Sequence, residues 1–87
     1  MPRNADPDPS LAAAVRHLRL EHALTQEVLA FRAGVTTGSV ARLEHCQSVP
    51  SWDTVRQIAR ALDTSLSELA AAVEAEDVRN GTSAPVS

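Results

Sequence analysis

A chain of 87 residues makes one domain of modest size, since a protein this short buries only about 60 % of the surface its unfolded chain exposes. Its apolar fraction of 44 % comes mostly from alanine and leucine, with one Phe, one Trp and no Tyr, so the core must be built from small and aliphatic side chains. No apolar run approaches the roughly 18 residues of a membrane span, and the opening MPRNADPDPS lacks the apolar stretch of a secretory signal; the expected location is the cytoplasm. Cys46 is the one cysteine, which excludes an internal disulfide and leaves a thiolate zinc site short of ligands. No metal or cofactor is expected.

The formal net charge of −3 argues against a uniformly basic protein that coats duplex DNA, but the charge is unevenly distributed. All the basic residues are arginines, residues 10–66 carry a slight positive excess, and the acidity gathers near the end in Glu68, Glu74, Glu76 and Asp77. A local basic surface therefore remains open.

Residues 1–9 hold three prolines and two aspartates among few apolar groups, the composition of an unfolded arm. A first helix is predicted from Ser10 as its cap to about His22, with Leu11, Ala14, Val15 and Leu18 as its apolar stripe. Thr25 caps a second over about 26–33, which Gly34 ends because a left-handed terminal residue is least costly as glycine. Thr36 caps a third over about 37–45, with Val40 and Leu43 facing inward. Pro50-Ser51 starts a fourth whose Val55, Ile58, Ala59 and Leu62 fall at helical spacing, and Trp52 is read as a hydrophobic lid on the core or, in the alternative, a dimer contact. Ser65 with Glu68 forms a capping box for a fifth, carrying Leu66, Leu69, Ala70 and Val73. Asn80-Gly81 and Pro85 mark a tail, placed at 77–87, so that the folded domain spans 10–76.

The stretch TQEVLAFRAGVTTGSVARLE, from Thr25 to Glu44, joins two short helices through a turn of a few residues. Ala30 allows close approach, Val40 and Leu43 anchor the second helix, and its other face is left polar by Thr37, Gly38, Ala41 and Arg42. That is the pattern of a helix-turn-helix over about 25–45, whose second helix enters a DNA major groove.

On these residues, together with Leu18-Arg19, Pro50-Ser51 and the run from Ile58-Ala59 to Ser65-Leu66, the chain resembles the phage-repressor and Cro type of helix-turn-helix domain, the XRE family. The resemblance implies an all-α, compact, five-helix lambda-repressor-like fold. It implies that Gln26 grips a phosphate at the second helix's N-terminus or buttresses a base-reading side chain. Thr37 and Gly38 would sit at the first exposed turn of the recognition helix. Arg42 would read a base, since a guanidinium bonds bidentately to guanine, a contact worth about 1 to 3 kcal/mol of discrimination. Thr36 and Ser39 are assigned to the helix end or a phosphate. Arg19 and Glu44 would form a structural ion pair.

The sequence departs from the family at Ala23 and Cys46, where glycine is usual, so Cys46 must take a positive φ or the third helix must end differently. Gln47-Ser48 replaces basic residues, removing one phosphate contact. Enzyme readings fail for want of a phosphate loop, a nucleophile elbow or a paired-ligand motif. The expected function is sequence-specific binding of double-stranded DNA by a transcriptional regulator, a repressor acting as a homodimer on an inverted repeat. Two alternatives stand beside it: an antitoxin-like regulator docking a protein partner through its acidic C-terminal segment, and a helix-turn-helix interaction module that has lost DNA binding.

Overall fold

The computed structural model describes residues 6–79; the segments 1–5 and 80–87, which hold most of the expected arm and tail, lie outside the described residues. Within them stand α1 (Pro9–Glu21), α2 (Gln26–Ala33), α3 (Thr37–Glu44), α4 (Trp52–Ala61) and α5 (Leu66–Arg79), with no strand. Four of the expected caps act as caps. Thr25 Oγ1 accepts from the Val28 amide, Thr36 Oγ1 from the Ser39 amide and Ser51 Oγ from the Thr54 amide, each at 3.0 Å. The capping box is reciprocal: the Glu68 amide donates to Ser65 Oγ at 3.0 Å, and the Ser65 amide to Glu68 Oε1 at 2.8 Å. The Ser65 amide and, after it, the Thr64 hydroxyl at 3.1 Å hold the Glu68 carboxyl below its ordinary pKa of 4.5.

The first helix starts differently from expectation. Its cap is Asp8, whose Oδ1 accepts from the amides of Ser10 at 2.9 Å and Leu11 at 3.2 Å. Pro9 takes the first helical position, where its missing N–H costs nothing. Ser10 is instead turned inward, 3 % exposed, and bonds the Asp77 carboxylate.

Four helices close in one way. The amides of Leu24, Val35, Gln47 and Thr64 reach back to the carbonyls of Arg19, Ala30, Arg42 and Ala59 at 2.8 to 3.0 Å, the six-to-one bond of a Schellman end. Each closure needs a left-handed residue: Gly34 at φ 73°, but also Ala23 at 56°, Cys46 at 58° and Asp63 at 59°. The three that carry a Cβ cost about 1 kcal/mol each. Of the two outcomes open for Cys46, the positive φ is the one adopted.

Val15, Leu29, Val40, Ile58 and Leu62 are the largest fully buried side chains, with Ala14, Ala30, Ala33, Leu43, Ala59 and Leu69 completing the core. Alanines on α1 and α2 bring backbones close, which is how a chain with two aromatic residues still fills its interior. Neither aromatic is in that core. Trp52 is 66 % exposed and not a lid: it stands on the first residue of α4, past the edge of the core, beside a shallow apolar groove lined by Leu11, Val55, Leu66, Leu69 and Val73.

α5 crosses α1 and runs to Arg79, three residues past the domain boundary read from the sequence. Its end is not simply a solvated acidic segment. Glu76 is buried and meets His17 Nδ1 at 2.5 Å and Arg79 Nη1 at 2.9 Å, and Asp77 receives Ser10. Two of the carboxylates expected to attract a protein partner are thus turned onto α1. Among the described residues no helix is long and apolar enough to cross a membrane.

Candidate nucleic-acid interface

α2 and α3 pack against each other around Leu29, Ala30, Val40 and Leu43. The turn between them is held by Gly34 and by the Val35 amide bonded to Ala30. Because the inner side of α3 is fully committed to the core, its outer side has one exposed ridge. Thr36, Thr37, Gly38 and Arg42 are exposed on it, and Ser39 is half-buried beside them.

Thr36 and Ser39 lock together at the start of the ridge. Thr36 Oγ1 accepts from the Ser39 amide and donates to Ser39 Oγ at 3.0 Å, so both hydroxyls fix the helix end, as expected of them. Arg42 lies one turn further on and forms no ion pair among the described residues. Its guanidinium bends toward the helix N-terminus over Gly38: a Cβ built on Gly38 would stand 3.3 Å from Arg42 Nη1. Helical side chains lean in that direction by default. The result is a charged, planar donor displayed at the first turn of α3.

Gln26 has a partner within the protein. Its Nε2 donates to Glu44 Oε1 at 3.0 Å, joining it to the ion pair anticipated between α1 and α3. That pair is bidentate, Arg19 Nε to Glu44 Oε2 at 2.6 Å and Nη2 to Oε1 at 2.9 Å, while Nη1 reaches the Leu24 carbonyl at 2.9 Å. The side chains are 11 % and 2 % exposed. Glu44's hydrogen bond raises the Arg19 pKa against the opposing effect of burial. The network thus ties together the end of α1, the start of α2 and the end of α3, setting the pitch of the recognition helix from behind. The link from Gln26 to Glu44 was not apparent in the sequence, because nothing local joins residues 18 positions apart.

The most exposed large apolar side chain among the described residues was missed altogether. Phe31, on the outer side of α2, is 86 % exposed, with Val28 nearby at 39 %. Its helical position opposite Leu29, Ala30 and Ala33 was the signal that could have found it.

A helix-turn-helix domain model matches residues 10–72. The chain belongs to the helix-turn-helix domain family. It is a DNA-binding transcriptional regulator. Among solved structures, the restriction-modification controller protein C.AhdI from Aeromonas hydrophila is 33 % identical, with a TM-score of 0.68 over 70 % of this chain and 92 % of that one. The controller protein C.Esp1396I is 17 % identical with a TM-score of 0.80, over 87 % and 99 % of the two chains. The clp gene regulator ClgR from Corynebacterium glutamicum is 21 % identical with a TM-score of 0.78, over 93 % and 86 %. These last two likenesses concern the fold alone. The curated proteins yield no match.

Proposed function

We propose that this regulator is a repressor that binds double-stranded DNA sequence-specifically as a homodimer, on an inverted repeat with half-sites about one helical turn apart. The observation that carries the reading is the exposed ridge of α3, where a guanidinium with no ion pair among the described residues stands beside a glycine on a helix whose opposite side is locked into the core. A rigid ridge of this kind fits base edges in a major groove, and Arg42 is the side chain that reads them. Thr36, Thr37, Ser39 and the N-terminus of α2 around Gln26 serve the flanking phosphates, which position the protein without choosing a sequence. A single domain of this size makes too few contacts for tight specific binding, and a two-fold dimer doubles them.

Selection of bound fragments from random duplexes tests all parts at once. The expected outcome is a two-fold symmetric site whose affinity falls steeply with salt, as counterions are released from the phosphates. Absence of any enriched sequence at low salt would remove the proposal, and an asymmetric single site would remove the dimer.

A further inference from the structure

α3 opens with a glycine at its second position, which costs a helix roughly 1 kcal/mol relative to alanine. Gly38 has an ordinary helical φ, so no backbone conformation requires it. The space beside its Cα is a notch about one methyl group wide: a Cβ there would stand 3.3 Å from Arg42 Nη1 and 3.9 Å from Thr36 Oγ1. The Thr36 wall is fixed by its bonds to the Ser39 amide and hydroxyl. Only the guanidinium can give way.

We infer that Gly38 is a positioning residue for Arg42: by leaving the notch empty it lets the guanidinium reach over the first turn of α3, and so fixes which base pair the fork meets. This rests on the reading of Arg42 as a base reader. An alanine would push the fork aside by a few tenths of an ångström, and a larger side chain would take its place and swing it away from the helix. The bidentate geometry with guanine tolerates little rotation, so discrimination should fall in proportion to the displacement. A residue that looks empty therefore helps to set specificity while contacting no base.

The test compares the sequence preferences of Gly38→Ala, Gly38→Leu, Arg42→Ala and the double variant Gly38→Ala/Arg42→Ala in selections from random duplexes, with melting curves for each. Arg42→Ala is expected to lose about tenfold of preference at one base pair of each half-site. Gly38→Leu should lose most of that preference, Gly38→Ala an intermediate share, both at the same base pair. In the Arg42→Ala background the alanine should change nothing further. Gly38→Ala should nevertheless melt a few degrees higher, because alanine is the better helix former, which separates lost specificity from a damaged fold. If Arg42→Ala loses the preference while both Gly38 variants keep it, the inference falls and the reading of Arg42 stands. If Arg42→Ala keeps it, the reading of Arg42 falls and takes the inference with it.

Discussion

Two carboxylate side chains are buried among the described residues, and they are held in opposite ways. Glu44, at the end of the recognition helix, faces an arginine that is itself nearly enclosed, so neither partner can reach water if the other is removed. Glu76, near the end of α5, is enclosed too, yet its partners are not: the side chains of His17 and Arg79 are 45 % and 61 % exposed. The cost of breaking a buried ion pair depends on what is left stranded. In the first cluster either partner is stranded by loss of the other; in the second only the carboxylate is. The recognition helix is thus fastened to α1 and α2 by an interaction largely shielded from solvent, whereas the end of α5 is held by one that salt can reach.

The largest effect should come from Glu44→Ala, which leaves Arg19 without its counter-charge and is expected to cost about 3 to 5 kcal/mol. In a domain of this size that lowers the melting temperature by about 12 °C or more, and a melting curve close to the parent's would show that the pair contributes little. Next, the double variant His17→Ala/Arg79→Ala strands Glu76 and should cost about 2 to 4 kcal/mol, whereas Glu76→Ala releases two exposed side chains into water and should cost about 1 kcal/mol. Chemical denaturation of the two would break the comparison if the order were reversed. At the helix ends, Cys46→Gly should stabilise by about 1 kcal/mol, because it relieves the left-handed strain immediately after α3 without touching the network behind it.

The smallest effect concerns an exposed carboxylate that provides a control. Glu68 has a folded pKa below its unfolded one, so its contribution is present above pH 4.5 and fades as the pH falls through the lowered value. Stability curves of Glu68→Gln and the parent should therefore differ above pH 4.5 and converge in acid. A constant gap down to pH 2 would show that the capping box does not depend on the charge.

Much of the fold was legible because helix ends are written locally. Thr25, Gly34, Thr36, Ser51 and the Ser65–Glu68 box all do what a cap or stop does, and each rests on bonds spanning a few residues. The misplaced start of α1 was a competition between two good caps, Asp8 and Ser10. The proline between them is the signal that decides it, because proline suits the first helical position and the residue before it becomes the cap. Trp52 shares the spacing of α4's apolar stripe, but periodicity gives direction around a helix and not distance from the core. Glu76 follows Val73 by three residues and so continues the inward stripe of α5, but its charge hid it among the acidic residues of the C-terminal segment.

The candidate site divides along the same line. The exposure of Arg42 on the outer side of α3 and the Thr36 cap followed from helical position, whereas the base-reading role expected of Arg42 and the pairing of Arg19 with Glu44 came from the family likeness. Gln26's bond to Glu44, the burial of Glu76 against α1 and the guanidinium lying over Gly38 could not be so assigned. The sequence by itself determined where each helix begins and ends and which side of it is apolar, because backbone capping and hydrophobic periodicity act within one or two turns. Tertiary structure alone decided which polar side chains lost access to water and which partners they found. Desolvation depends on how whole helices cross, and no short stretch of chain contains that information.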